Sequence, residues 1–310
     1  MTVSRRRCFT LPLLRTTLFA VFLAGVCNTS AQANQAPAPP PTGELARQYH
    51  FASANRDQHY RIYVPKDYDT TRRYPMVVEL HGLAASPKDD FTGGQLAAAA
   101  EAHDFIVVAP YGINEDPMFW GSIYPFKLAD PNHDPASHMR PVPADEQHYA
   151  KDMPGLSSIM FGMSAPEATQ KRRWSEQDVL NVMAITEREY NVDPDRIYLM
   201  GNSAGAGGTL YLGVKYAEKW AAISPINGVV EPWSYPVHRL EDVPLLFVHG
   251  TKDRIAPESA IQEIIDGVNA QGGEARLLRV EGGTHAGTWY MALNDIFDFF
   301  ARHKRAVDAP

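Results

Sequence analysis

The chain has 310 residues, 45% of them hydrophobic, and a formal net charge of −7 from 29 lysines and arginines against 36 aspartates and glutamates. That acidic balance disfavours nucleic acid as a partner, and the length admits one large domain of the α/β kind. The two cysteines, Cys8 and Cys27, both lie near the N-terminus, which excludes a disulfide framework, a thiolate metal site and a cysteine nucleophile from the body of the chain.

Residues 1–33 read as a secretory leader. Arg5, Arg6, Arg7 and Arg15 form a positive region, Thr16 to Cys27 a short apolar run, and Ala31-Gln32-Ala33 a small-x-small cleavage pattern. The run is shorter than the roughly 20 residues a membrane span needs. The paired arginines before Phe9 hint at twin-arginine export, although their neighbours fit that signal loosely. Ala24-Gly25-Val26 is a poor lipobox for Cys27. The expectation is an exported protein, secreted or periplasmic, with no stable membrane association after cleavage; its oligomeric state stays open. The leader carries four arginines and no acid, so the remainder is more acidic still. Residues 34–47, with Ala36 to Thr42 reading APAPPPT, suggest a polyproline linker.

From Gln48 the pattern becomes regular. Gln48 to Ser53 and His59 to Val64 alternate around Ala54-Asn55-Arg56-Asp57, a hairpin signal. Short apolar runs follow at Tyr74–Leu80, Phe105–Ala109, Arg196–Met200, Ala221–Ile226, Pro244–His249 and Arg276–Val280. Near-continuous apolar runs suit parallel strands covered on both faces. Helical patterns lie between them at Gln95–His103, Ala204–Trp220, Pro257–Ala270 and Trp289–Arg302. Another spans Glu176–Tyr190, opened by Ser175 with Asp178 three residues later, which fits a capping box. Strands alternating with helices predict an α/β fold with a doubly wound, mostly parallel sheet over residues 48–305. Such sheets place their sites at the carboxyl ends of the strands.

At one such end stands Gly201-Asn202-Ser203-Ala204-Gly205, a G-x-S-x-G pattern between a strand and a helix. The glycines permit a turn too sharp for side chains, which pushes the serine into an exposed position. The following helix points its N-terminus at the site and favours developing negative charge. Gly162-Met163-Ser164-Ala165-Pro166 is a decoy that lacks the last glycine and follows no strand.

A serine hydroxyl needs a base, and the base an orienting acid. Asp253 follows the strand Pro244–His249, and His285 follows Arg276–Val280 in a glycine-rich loop, giving the order Ser, Asp, His. Asp242 precedes its strand, while Glu258 and Asp266 read as helix-surface residues. Among the histidines, His303 sits in a basic helix end, His249 within a strand end, and His81 fails on chain order. An oxyanion hole needs two backbone N–H donors. Ala204 supplies one; the other is assigned to Leu83 in His81-Gly82-Leu83, where Gly82 permits the bend and adjacent positions compete.

The segments YRIYVPKDY, YPMVVELHG, NVDPDRIYLMGNSAG, PLLFVHGTKD and GGTHAGTW resemble the secreted esterase branch of the α/β-hydrolases. That branch includes feruloyl and acetylxylan esterases and poly(3-hydroxybutyrate) depolymerases, and is similar to prolyl-oligopeptidase-type catalytic domains. The resemblance runs from about Gln48 to Arg302 and departs between Ile113 and Arg173. It implies an ester-hydrolysing serine enzyme without cofactor, with nucleophile, acid and base at Ser203, Asp253 and His285. A serine peptidase or amidase is the alternative, weakened because there is no room for a propeller domain. A non-catalytic binding protein on the same fold would be marked by a missing triad member, and none is missing.

Residues 113–173 form an irregular, lid-like insertion rich in Pro, Met, His and aromatics, with five of the chain's ten methionines. Met and flat aromatics suit an adaptable apolar pocket or simple packing on the body. Phe119, Trp120 and Trp289 are the substrate-binding candidates; Trp289 either walls the site or anchors the last helix. His133, Asp134, His138 and His148 match no metal-ligand spacing, so no metal is expected.

Overall fold

A computed structural model describes residues 40–83, 85–113, 166–230, 232 and 235–305. The expected leader, most of the proline-rich segment, and Phe119, Trp120 and the four candidate metal-binding residues of the insertion lie outside them. In chain order the described elements begin with β1 (Gly43–Phe51), β2 (Arg56–Val64), β3 (Tyr74–Leu80), α1 (Pro87–Phe91), α2 (Gln95–His103) and β4 (Ile106–Pro110). They continue with α3 (Pro166–Glu189), β5 (Val192–Asn202), α4 (Ala204–Lys215), β6 (Ala222–Ile226), β7 (Leu245–Gly250), α5 (Glu258–Asn269), β8 (Ala275–Val280) and α6 (Thr288–Ala301).

The strands form one eight-stranded sheet in the order β1-β2-β4-β3-β5-β6-β7-β8. β1/β2 and β2/β4 pair antiparallel and the remaining pairs are parallel. The hairpin turns at Asn55, whose φ of 48° a short polar side chain tolerates. β1 starts at Gly43 rather than Gln48, so the end of the expected linker is edge strand, with side chains alternating between half-buried and exposed. Polar outward residues such as Glu44 hid it from a reading keyed to apolar runs.

β3 and β4 are buried along their whole length, and their alternate residues feed two separate cores. Met76, Val78 and Leu80 point to one face, where α3, α4 and α5 supply Val179, Val182, Leu210, Leu212, Ile261 and Ile264. Val77 and Val107 point to the other, covered by Leu96 of α2 and by Ile296, Phe297 and Phe300 of α6. Each such buried side chain contributes about 1.5–3 kcal/mol relative to exposure. A slip of one residue in any central strand would exchange the two faces, so packing fixes the register.

The expected helix start at Ser175 is corrected. α3 already begins at Pro166, and Ser175 and Asp178 lie inside it. Their buried side chains hold the loop leaving β4 instead. Ile113 N–H donates to Ser175 Oγ at 2.9 Å, and Gly112 N–H to Asp178 Oδ2 at 2.8 Å. Tyr49 of β1 and Gln58 of β2 also donate to the Asp178 carboxylate, at 2.6 and 3.2 Å. Burial pushes this carboxyl up to about 6 despite these donors. A Ser-x-x-Asp spacing has the same form as a capping box, and only tertiary contacts tell the two uses apart.

A buried acidic pair, Glu79 and Asp90, lies near the end of β3. Glu79 of β3 and Asp90 of α1 are buried beside each other, with His81, Asp89 and Tyr290 as the other titratable neighbours. Burial and the adjacent Asp90 charge hold the Glu79 carboxyl well above its ordinary 4.5, and burial pushes Asp90 up to about 6. In the unfolded chain Glu79 ionises near its ordinary value, so the folded state binds more protons above it and loses stability as pH rises. Glu79→Gln keeps a donor toward Asp90 without a proton to lose. From pH 5 upward it should gain on the wild type by up to about 1.4 kcal/mol per pH unit. Parallel stability curves in urea for the two proteins from pH 5 to pH 8 would contradict the buried, protonated Glu79.

Candidate active site

Ser203 occupies the turn between β5 and α4 with φ 57° and ψ −113°. A non-glycine residue held there stores strain that its surroundings must impose. Two close approaches impose it. A Cβ on Gly205 would lie 1.9 Å from Leu80 O, and one on Gly201 would lie 2.5 Å from Gly205 O and 2.8 Å from Leu80 O. Only glycine lets the turn pack against the end of β3. The Ser203 N–H donates inward to Ile226 O of β6 at 2.8 Å, which turns the hydroxyl away from the sheet.

His285 reaches this hydroxyl from the loop after β8. Its Nε2 lies 2.8 Å from Ser203 Oγ, and its Nδ1 lies 2.9 Å from Asp253 Oδ2. Asp253 is a fully buried side chain just past β7. It also accepts the Ile255 N–H at 2.7 Å and the Ala256 N–H at 3.1 Å on Oδ1. Burial alone would push this carboxyl up, but the His285 hydrogen bond and charge and the two backbone donors outweigh it, and the net shift is downward. An ionised Asp253 fixes the His285 tautomer with Nδ1 as donor and leaves Nε2 free to accept the Ser203 proton.

The three residues singled out by chain order therefore form one continuous hydrogen-bonded chain. Gly82 lies directly over the turn, since a Cβ there would stand 3.4 Å from Asn202 O and 3.5 Å from Ser203 Cβ. Leu83 follows it, and Ala204 is the first residue of α4, where an N–H has no acceptor within its own helix. His81 is buried beside them with its ring nitrogens 2.9 Å from Gly82 O and Tyr111 O, tying the loop after β3 to the loop after β4.

The rival residues go elsewhere. Glu258 pairs with Arg279, and Asp266 bonds Gln262. His303 sits at the end of α6 on Phe299 O. His249 is buried in β7, and burial holds it below the usual histidine range, hence neutral. Trp289, one of the three substrate-binding candidates, is only 3% exposed and packs in the core under α6, its ring centroid 4.4 Å from that of Tyr290. That burial makes it an anchor for the last helix. Asn227, after β6, was not singled out; a polar residue closing a buried strand was the available signal. Among the described residues no group of three or more His, Cys, Asp or Glu could hold a metal ion, and no helix is long and apolar enough to cross a membrane.

No family model matches the chain. Over 203 residues, 65% of its length, it is 30% identical to a bifunctional acetylxylan esterase/xylanase of Neocallimastix patriciarum, and the match spans 22% of that protein. Among solved structures, an S-formylglutathione hydrolase from Staphylococcus aureus superposes with a TM-score of 0.57 at 15% identity, over 86% of this chain and 100% of the other. A ferulic acid esterase from Anaeromyces mucronatus in complex with ferulic acid gives 0.55 at 16% identity, over 89% and 96%. The chain has the α/β-hydrolase fold.

A hydroxyl beside an oriented imidazole can attack an electrophilic centre without prior ionisation. A fluorophosphonate ester reports that reactivity directly, by phosphonylating the serine. Asp253→Asn would present an amide to Nδ1 and stabilise the wrong tautomer, so labelling of Ser203 should slow by about a thousandfold or more. Undiminished labelling of that variant would contradict the role given to the buried carboxylate.

Proposed function

We propose that this chain is a serine hydrolase acting on carboxylic esters through an acyl-enzyme. The single observation that carries this reading is the hydrogen-bonded chain Ser203–His285–Asp253, built across three loops of the sheet. The similarity to an acetylxylan esterase/xylanase and the fold shared with a ferulic acid esterase support the ester class.

In this mechanism Ser203 Oγ attacks the ester carbonyl while His285 Nε2 takes its proton. The Ala204 and Leu83 amides stabilise the oxyanion, helped by the N-terminus of α4. His285 then protonates the departing alcohol, and a water activated by the same imidazole releases the acid. Asp253 stays ionised throughout and stabilises the imidazolium. No cofactor takes part. Small acyl, aryl or hydroxycinnamoyl esters and short polyesters are the substrate classes this reading favours.

The test is a chain-length series of p-nitrophenyl esters, with feruloyl methyl ester and a matched p-nitroanilide. Ester turnover should exceed anilide turnover, and Ser203→Ala should lower it by at least about a thousandfold without loss of fold. Turnover surviving in Ser203→Ala would sink the reading, and preferential cleavage of the anilide would replace it with an amidase.

A further inference from the structure

One buried side chain ties together the loops that carry the two partners of Ser203. Asn227 follows β6, is fully buried, and holds φ at 48°. Its Oδ1 accepts the Gly250 N–H at 3.0 Å, at the end of β7 just before the Asp253 loop. Its Nδ2 donates to His285 O at 2.8 Å and to Thr284 O at 3.2 Å. Its own N–H donates to Val248 O at 2.9 Å, and the preceding carbonyl, Ile226 O, receives the Ser203 N–H at 2.8 Å. Residues 226 and 227 thus touch the nucleophile, the acid loop and the base residue at once.

We propose that Asn227 is a positioning residue for the hydrolysis assigned above: its side-chain amide sets the distance between the His285 loop and the strand end that carries Asp253, and so the aim of the imidazole at Ser203. The inference rests on that reading of the site. The chemistry requires a primary amide. The His285 carbonyl takes a donor from Asn227, Thr284 O takes one alongside the Thr288 N–H and hydroxyl, and the Gly250 N–H needs an acceptor, so one planar group donates and accepts at once. Aspartate would match the shape but turn a carboxylate oxygen toward two carbonyl oxygens. The left-handed backbone is one that asparagine tolerates and glycine adopts freely, so Asn227→Gly removes the amide without adding backbone strain. The loops have other ties, from Thr251 N–H to Val280 O at 3.0 Å and from Lys252 N–H to Gly283 O at 2.8 Å. These join the two loops ahead of His285, and the Asn227 bond is made to His285 itself.

The experiment compares full-length wild type, Asn227→Gly and Asn227→Asp by three readouts. These are kcat and KM for p-nitrophenyl acetate, each normalised to sites titrated with a fluorophosphonate, the labelling rate of Ser203, and the melting temperature. Misplacement of a reacting group by a fraction of an ångström is worth roughly 10-fold to 100-fold in rate. Both variants should lose kcat per titrated site on that scale, with KM within about twofold of wild type and labelling slowed in step. Full kcat per titrated site in either variant, even with a lowered melting temperature, would overturn the proposal and leave Asn227 a stabilising residue only. Wild type that labels but does not turn over esters would overturn the ester reading alone, because the labelling rates still report aim. Wild type that does not label would overturn both.

Discussion

Parallel pairing brings the ends of β5, β6, β7 and β8 to one edge of the sheet, and the contact between Ser203 and His285 exists only through that alignment. Asn202 lies opposite Ile226, Ile226 opposite Val248, and Gly250 opposite Val280. Ser203, Asn227, the Asp253 loop and the His285 loop each leave the sheet just past those partners. Residues 82 positions apart in the chain thereby meet at 2.8 Å. Two apolar cores, one on each face, keep the register from slipping. The scaffold thus holds the strained Ser203 and the His285 imidazole in fixed relation, and preorganisation of this kind is where the proposed site would derive its rate.

The same sheet buries carboxyl groups to opposite effect. Asp253 accepts two backbone N–H groups and the imidazole, and its carboxyl is held below the ordinary range. Asp178 also accepts several hydrogen bonds, from Tyr49, Gln58 and Gly112, yet burial dominates and raises it to about 6. The partners differ: Asp253 has the His285 imidazole and two backbone N–H groups, whereas the donors to Asp178 are a phenol, a primary amide and one backbone N–H. Glu79 is buried close to Asp90, and burial together with that neighbouring charge holds its carboxyl well above the ordinary range. The carboxyl held low is therefore the one hydrogen-bonded to an imidazole, and those held high are the ones whose burial is not offset to the same degree.

Much of this was legible in the sequence because local rules and tertiary packing agreed. G-x-S-x-G after an apolar run encodes a turn whose glycines answer to real close approaches, at Gly201 and Gly205. Asp253 and His285 were singled out by standing after strands in the order Ser, Asp, His, and His285 lies within hydrogen-bond reach of both Asp253 and Ser203. What escaped was polar and tertiary. Ser175 and Asp178 have the spacing of a helix cap but serve as anchors for the loop after β4. Trp289 is near His285 in sequence, and its side chain is buried in the core with Ile296 and Phe297 of α6. Asn227 carries no motif, because its role is set by three loops that only the folded sheet brings together. The α1 turn at Pro87–Phe91 was missed for its brevity.

The most direct test of the account is to trap the acyl-enzyme. The protein is mixed with p-nitrophenyl acetate, quenched in acid within the burst, digested, and its peptides analysed by mass spectrometry. The account predicts one acetyl group on the peptide containing Ser203, formed in a burst equal to the enzyme concentration and absent from His285→Ala. Release of p-nitrophenol with no acetyl group on Ser203, or with acetylation of a different residue in the burst, would contradict it.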